Sequence, residues 1–271
     1  RSRGLGDVYK RQIYGGLLDS GFSATNLSVV DPSAAAQDNA RQAGIEHVFD
    51  SAPGEALLAD LIVLAIKPQI TKAALQPLSG RLATHSLVLS IVAGINAESL
   101  AALLGLSDTG RIIRCMPNTP ALVGEGMTGL YASREAGSAE GKALAERVMS
   151  SVGQCVWVEN ESDLDVVTAI SGSGPAYIFL FIESLTDAAI ALGMNGESAR
   201  KLALQTALGA SRLASLSSED AATLRKNVTS PGGTTEQAIQ AFEASDIRGI
   251  VAEATKVAAR RSVELSKEFG A

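Results

Sequence analysis

The feature that most constrains the fold is the alternation, over residues 27–159, of short apolar runs with helix-forming stretches. The runs LIVLAIKP (61–68) and SLVLSIVAG (86–94) are almost entirely apolar and end at Pro or Gly, which is typical of parallel strands covered on both faces. Strands that alternate with short helices predict a parallel α/β sheet. The other strand candidates are LSVVDP (27–32), HVFD (47–50), RIIRCMP (111–117), GMTGLYA (126–132) and CVWVE (155–159).

The pattern changes near Glu161, after which we find no strand candidate. The segment PAYIFLFIESLTDAAIALG (175–193) has Pro at its first helical position and Gly at its end. Its YIFLFI portion is apolar on all sides, which suits a helix buried all round, as between subunits. The sequence therefore predicts an α/β domain over 1–160 and an all-helical domain over 161–271.

Composition excludes several classes of function. A net charge of −6 with 4% aromatic residues disfavours a nucleic-acid interface. Cys115 and Cys155 cannot form a disulfide framework, so we expect a reducing, cytoplasmic environment. His47 and His85 lie far apart in the sequence, so no metal site is expected. No apolar run approaches the ~18 residues that span a membrane, and no membrane association is expected.

Residues 1–12, RSRGLGDVYKRQ, differ from the rest of the chain, since they are basic and have no hydrophobic period. We interpret them as non-native sequence. IYGGLLDSGF (13–22) reads as the second half of a helix that stops at Gly21. The strand and glycine loop that commonly precede such a helix are then missing, because the Gly-Leu-Gly triplet at 4–6 has no strand before it and Tyr9 stands at the third small position.

Two polar residues follow the LSVVDP strand candidate closely. Asp31 stands where an acidic residue of an α/β unit can bind the ribose hydroxyls of NAD. Capping of the next helix is an equally good interpretation of Asp31. Ser33 can cap that helix or receive the 2′-phosphate of NADP, so the choice between the two dinucleotides stays open.

Two further segments lie at predicted strand ends, where open α/β sheets bind their ligands. In AIKPQ (65–69), Lys67 is held extended by the Pro that follows it. SIVAG (90–94) ends in a turn of small residues, where backbone can approach a flat ring. A solvated lysine and a plain tight turn are the alternatives. RCMPNTP (114–120), stiffened by its prolines, is interpreted as a structural corner.

The helical half contains two segments that place small and hydroxyl residues before a helix start, SGSGPAY (171–177) and TSPGGTTEQAI (229–239). In the second, the paired glycines at 232 and 233 free the backbone, and Thr234 or Thr235 can cap the helix. Successive N–H groups there can bind an anion such as a substrate carboxylate. Ordinary capping is the alternative, but two such segments in one helical domain favour a ligand site.

These segments occur in one order at fitting distances. Together, AIKPQ, SIVAG, RCMPNTP, DVVTAISGSGPAYIF (165–179) and NVTSPGGTTEQAI (227–239) closely resemble the pyrroline-5-carboxylate reductase family, from about Ile13 to near the C-terminus. The resemblance implies a Rossmann domain followed by a helical domain that interlocks in a homodimer, often within a larger ring such as a decamer. It implies reduction of 1-pyrroline-5-carboxylate to L-proline with NADPH or NADH.

The resemblance also assigns site residues. Thr235 is the catalytic candidate, with its hydroxyl on the ring nitrogen of the imino acid, and a strong general acid is unnecessary because an iminium nitrogen is readily protonated. The residues implied to contact the substrate are Glu219, Ser230, Gly232, Gly233, Thr234 and Thr235. The residues implied to line the cofactor site are Ala65, Ile66, Lys67, Pro68, Ile91, Val92, Ala93 and Asn227, beside Asp31 and Ser33 from the strand-end argument.

Two other hypotheses stay open. A dehydrogenase of the β-hydroxy-acid type would need a lysine acid/base in the helical domain, for which Lys201 and Lys256 are available. Alternatively, the chain is a helical oligomer without a competent cofactor site, because residues 1–12 depart from the family's pattern of strand and glycine loop.

Overall fold

The computed structural model describes residues 5–133 and 137–269. The chain divides into two compact units, the first reaching Gly172 and taking in the residues from Ala258 onward, and the second comprising Ser173–Val257. The first glycine of the 4–6 triplet lies outside the described residues. The predicted domain boundary after residue 160 stays a prediction.

The first unit carries the strands that the apolar runs predict, each within a few residues of its expected place. In chain order its elements are α1 (Leu5–Asp19), β1 (Ser28–Val30), α2 (Ala34–Gln42), β2 (His47–Phe49), β3 (Leu61–Leu64), α3 (Thr71–Leu75), β4 (Leu87–Ser90), α4 (Ala97–Leu104), β5 (Ile112–Met116), β6 (Gly126–Ala132), α5 (Ala139–Met149), β7 (Gly153–Trp157) and α6 (Asp163–Val167), with a π-helical turn at Thr168–Gly172.

The strands form two sheets. One is the parallel pair β1–β2, and the other has the order β3-β4-β5-β6-β7. The expectation of a wholly parallel sheet is wrong at one place, since β5 and β6 are antiparallel. Only residues 117–125 connect them, whereas a parallel crossover needs about a dozen residues or more. The pairs β3–β4, β4–β5 and β6–β7 are parallel as expected.

Both faces of the larger sheet are covered, which explains why its strands are apolar throughout. Leu89 and Ile113 pack on one face with Ile13 and Leu17 of α1. Their neighbours in sequence, including Val88, pack on the other face with the leucines of α4. Because successive side chains of a strand point to opposite faces, a strand buried on both sides needs an unbroken apolar run.

Helix α1 ends where the sequence predicts. Gly21 has a φ of +85°, and the Phe22 N–H donates to the Leu17 carbonyl at 2.9 Å. This is the left-handed glycine ending of a helix, which a residue with a Cβ adopts at a cost. The helix extends back to Leu5, so residues 5–12 are helical in this structure rather than strand and loop.

The second unit is helical over its described length. Its elements are α7 (Gly174–Ala191), α8 (Gly196–Leu216), α9 (Ala221–Asn227), α10 (Thr234–Ala244) and the first part of α11 (Ile247–Phe269). Much of its apolar surface is exposed, with Phe179 64% and Leu180 62% accessible in α7. By length and composition, the helical stretch 163–191 is apolar enough to cross a membrane, and only 6% of its apolar window is buried.

Candidate active site

The ends of β3 and β4 bring two predicted segments to one edge of the sheet. Leu64 pairs with Ser90 at the end of the ladder, and the Ile91 N–H donates to the Leu64 carbonyl at 3.1 Å. Because the strands are parallel, residues 65–68 and 91–93 continue from the same edge. The structure buries Ala65, Ile91 and Val92, exposes Lys67 and Ala93, and half-buries Ile66 and Pro68.

The extended conformation predicted for Lys67 is confirmed. Its φ of −76° and ψ of 143° precede Pro68, which starts a short 3-10 turn. The Lys67 carbonyl accepts hydrogen bonds from the Ile70 N–H at 3.1 Å and from the Thr71 hydroxyl at 3.0 Å. The backbone of this segment is therefore fixed, while the ammonium group is exposed to whatever binds at the edge.

Asp31 follows β1 and is 4% exposed. Its carboxylate accepts a hydrogen bond from the Ser33 N–H at 2.9 Å, so it fixes the turn that leads into α2. The other carboxylate oxygen lies 2.5 Å from the Lys10 ammonium, which also donates to the Val30 carbonyl at 3.1 Å. The Ser33 hydroxyl makes no capping hydrogen bond, although Ser33 occupies the N-cap position of α2.

The part of this edge that would bind the phosphates and ribose of a dinucleotide does not fit them in this structure. A pyrophosphate binds to N–H groups of a glycine-rich turn between a strand and the start of a helix. Here, residues 5–12 belong to α1 itself, and Lys10 already forms an ion pair with Asp31, the carboxylate expected to bind the ribose. The loops after β3 and β4 have the small and apolar residues that suit a nicotinamide ring, so the misfit is confined to the phosphate and ribose end.

In the second unit, residues 230–235 form a tight corner before α10, hereafter the 230–235 corner. Gly232 has a φ of +70°, a left-handed conformation that favours glycine. The Gly233 N–H donates to the Ser230 carbonyl at 3.0 Å. The first N–H groups of α10, from Thr234 onward, have no acceptor within the helix and point out of its end, as at any helix start. This geometry suits a carboxylate.

The expectation that Thr234 or Thr235 caps α10 is wrong. The N-cap residue is Gly233, which makes no side-chain capping bond, and the two threonines are the first residues of the helix itself. A Cβ at position 233 would lie 3.0 Å from the Ser230 carbonyl oxygen, so glycine suits the N-cap position because a side chain would crowd this corner. Capping therefore does not engage the Thr235 hydroxyl, which lies half-buried beside the corner.

Glu236 contributes to the corner and was not predicted from the sequence. Its carboxylate accepts a hydrogen bond from the Gly232 N–H at 2.8 Å. Glu236 stands three residues after the N-cap, which is the spacing of a capping box, in which the Glu side chain reaches back to the turn. This spacing can be recognised in the sequence. Glu236 holds the turn in shape and also places a negative charge next to the anion-binding groups.

Glu219 and Asn227 lie in direct contact, although the resemblance assigns one to the substrate and the other to the cofactor. The Asn227 side-chain amide donates to the Glu219 carboxylate at 2.9 Å. Asn227 is the last residue of α9, which is capped at its start by Asp220 through the Thr223 N–H at 2.7 Å. That hydrogen bond lowers the pKa of Asp220. In the sequence, the predicted substrate residues run from Glu219, just before α9, to Thr235 in the first turn of α10.

The structural corner predicted for RCMPNTP is confirmed, and Asn118 is its centre. Asn118 is 7% exposed and donates from its amide nitrogen to the Ser171 carbonyl at 3.0 Å. Its amide oxygen accepts from the Met127 N–H at 2.8 Å. This one side chain therefore joins the start of β6 to the π-helical turn Thr168–Gly172, which precedes Pro175 and the start of α7.

An α/β unit with a ligand edge at two parallel strand ends, followed by a helical unit with a helix start that suits an anion, is the arrangement typical of dinucleotide-dependent oxidoreductases, and at the level of the fold the chain is of this class. The family model for pyrroline-5-carboxylate reductase dimerisation matches residues 161–265. A pyrroline-5-carboxylate reductase of Pseudomonas aeruginosa is 43% identical over 261 residues, which cover 95% of this chain and 93% of that protein.

Solved structures give the same result. A pyrroline-5-carboxylate reductase from Coxiella burnetii, 38% identical, matches with a TM-score of 0.89 over 97% of this chain and 96% of that one. The Plasmodium falciparum pyrroline carboxylate reductase with NADP bound, 30% identical, matches with a TM-score of 0.79 over the same shares. The chain belongs to the pyrroline-5-carboxylate reductase family.

Proposed function

We propose that this chain reduces 1-pyrroline-5-carboxylate to L-proline, with NADPH or NADH as the reductant and in the cytoplasm. The observation that carries the proposal is the 230–235 corner, where a left-handed Gly232 turns the backbone into the start of α10. Two relatives that are 43% and 38% identical over at least 95% of this chain are pyrroline-5-carboxylate reductases. We assign the substrate role to Glu219, Ser230, Gly232, Gly233, Thr234 and Thr235, and the cofactor role to residues 65–68, 91–93, Asp31, Ser33 and Asn227.

The 230–235 corner binds the carboxylate group of the substrate. The N–H groups at the start of α10 donate to the carboxylate oxygens, and the helix dipole favours their negative charge. The Thr235 hydroxyl then reaches the ring nitrogen. Two fixed points on a small ring determine which carbon is presented for reduction, so this chain's contribution to catalysis is mainly positioning.

No strong general acid is required. A cyclic imine is basic enough to be protonated at its nitrogen, and the protonated form is the better electrophile. Both histidines of the chain, His47 and His85, belong to the first unit and are exposed. The Thr235 hydroxyl therefore needs only to hydrogen-bond the nitrogen as its charge changes, and loss of such an interaction costs on the order of 100-fold in rate.

We further propose that the chain works as a homodimer or a higher homo-oligomer such as a decamer. The apolar residues of α7 and α8 that the chain exposes, among them Phe179, Leu180 and Leu204, form a larger apolar surface than a monomer in water normally shows. A partner's helices would cover the apolar window of 163–191, and a membrane is not needed to explain it. The matched dimerisation family supports this assignment.

The rival dehydrogenase hypothesis lacks its acid/base residue. Lys201 lies on α8 and Lys256 on α11, and both are exposed on regular helix surfaces rather than in a turn of small residues.

The role of Thr235 is tested by L-proline binding, which calorimetry measures on the chain as it exists. We expect Thr235→Ala to weaken binding by about tenfold, since one hydrogen bond to a charged group is lost. Thr235→Ser keeps the hydroxyl and is expected to bind within about threefold of the parent. Binding by Thr235→Ala equal to that of the parent would contradict the assigned role.

A further inference from the structure

A doubly wound dinucleotide sheet has the strand order 3-2-1-4-5-6, and its first strand leads into the glycine turn. In the first unit, β2 and β1 correspond to positions 3 and 2, while β3, β4 and β5 correspond to positions 4, 5 and 6. Position 1 would lie between β1 and β3. Among the described residues, β1 pairs with β2 alone and β3 with β4 alone, so the two strands that should flank position 1 are both sheet edges.

Residues that would form strand and turn are helical in this chain. Helix α1 begins at Leu5 and runs without a break into IYGGLL. Its first part is packed rather than loose, because Tyr9 packs against the hydrophobic core of the first unit and burial raises the pKa of Tyr9 to about 12. The N–H groups of residues 9–12 therefore serve the helix and are not aimed at a phosphate.

The same helix fills the ribose position. The Lys10 ammonium lies 2.5 Å from the Asp31 carboxylate, whose side chain is 5% exposed, and the lysine side chain is itself only 20% exposed. A ribose that used Asp31 would first have to displace this ammonium group. Separation of a buried ion pair leaves an uncompensated charge, so that displacement is costly.

We propose that the first turns of α1 fill the place in the first unit where a dinucleotide would put its phosphates and ribose, beside Asp31. We further propose that a strand followed by a glycine turn fits between β1 and β3 in place of these helical turns. The reductase readout of this proposal rests on the proposed function. The affinity readout is independent of it, because it measures dinucleotide binding alone.

The experiment compares the chain with a variant in which residues 1–12 are replaced by a short apolar strand and a Gly-x-Gly-x-x-Ala turn directly before Ile13. NADPH and NADH are titrated separately, with nicotinamide fluorescence as the readout. We expect the variant to bind at least one of them about 100-fold more tightly, since two or more charge-assisted hydrogen bonds to phosphate are gained. A matched control carries the same strand with valine in place of the turn glycines, and it is expected to bind as weakly as the chain.

Each result decides a separate point. Affinities of the chain and the glycine variant within tenfold of each other overturn the proposal, as does a valine control that binds as tightly as the glycine variant. If the glycine variant binds the dinucleotide but does not reduce 1-pyrroline-5-carboxylate, the proposal stands and the proposed function falls. If the glycine variant binds the dinucleotide about 100-fold more tightly than the chain and both reduce 1-pyrroline-5-carboxylate, both stand. A chain that shows no turnover at saturating dinucleotide contradicts the proposed function for this chain.

Discussion

At the scale of single residues, the structure depends on buried polar side chains whose partners are far away in sequence. Asn118 joins Met127 and Ser171, which lie 9 and 53 residues further along the chain. A buried amide with both ends hydrogen-bonded specifies one arrangement of the loops it joins. Asn118 thereby fixes the π-helical turn, a form of helix that occurs frequently at functional sites.

Asn118→Ala is expected to destabilise the chain by about 2–4 kcal/mol, because the Ser171 carbonyl and the Met127 N–H, both partly buried, lose their partners at about 1–2 kcal/mol each. Chemical denaturation followed by circular dichroism measures this loss. Asn26→Ala, at an exposed asparagine of the same unit, serves as control and is expected to change stability by less than about 0.5 kcal/mol. Equal stabilities of the two variants would contradict the role of Asn118.

Sequence reasoning finds residues whose signal is local. The extended Lys67 follows from the adjacent proline, and the turn at Gly232 follows from paired glycines before a helix. The partners of Asn118 and Asp31 could not be predicted, since a hydrogen bond across 53 residues or an ion pair across 21 has no signature in the spacing. The cap of α10 was predicted on the wrong residue because glycine and threonine are both good N-caps.

At the scale of elements, the apolar runs predict the strands because burial on both faces requires an unbroken run. The apolar runs do not predict which strands pair, or whether a pair is parallel or antiparallel. The antiparallel β5–β6 pair follows from a short connection, and the described strands leave β1–β2 separate from the larger sheet while residues 5–12 are helical. EALLAD (55–60), which looks helical, forms a short 3-10 turn at Glu55–Leu58.

The packing of α1 against the turn before β7 gives an element-scale prediction. A Cβ at Gly16 would clash with the Ser151 carbonyl oxygen, whereas a Cβ at Gly15 would meet nothing within 4 Å. Gly16→Ala is therefore expected to destabilise the chain by about 1–3 kcal/mol. Gly15→Ala, on the same helix, is expected to stabilise it by up to about 1 kcal/mol. Thermal unfolding of the two variants measures the contrast, and destabilisation of both by the same amount would contradict this packing.

At the scale of the whole molecule, the second unit buries little of its own apolar surface. Ala199 and Ala203 of α8 are its buried residues among those described, while Phe179 of α7 is 64% exposed. The sequence predicted that YIFLFI is buried on every side, and within one chain it is not. Burial of a helix that is apolar all round then requires partner chains, which single-chain patterns indicate only indirectly.

Phe179→Asp is expected to weaken self-association about 100-fold or more, because a carboxylate would be buried without a partner in an apolar interface. Sedimentation velocity at micromolar concentration measures the resulting shift toward monomer. Leu58→Asp changes a side chain of similar exposure, 61%, in the first unit and is the matched control. An unchanged oligomer in Phe179→Asp would contradict the assignment of α7 to the interface.

The central claim is that the 230–235 corner holds the carboxylate of a small imino acid. The most direct measurement is a crystal structure of the chain in complex with L-proline. The account predicts the proline carboxylate within hydrogen-bond distance of the backbone N–H groups at the start of α10, with the ring nitrogen on the Thr235 hydroxyl. Proline bound at any other place, with this corner engaged by protein groups alone, would contradict it.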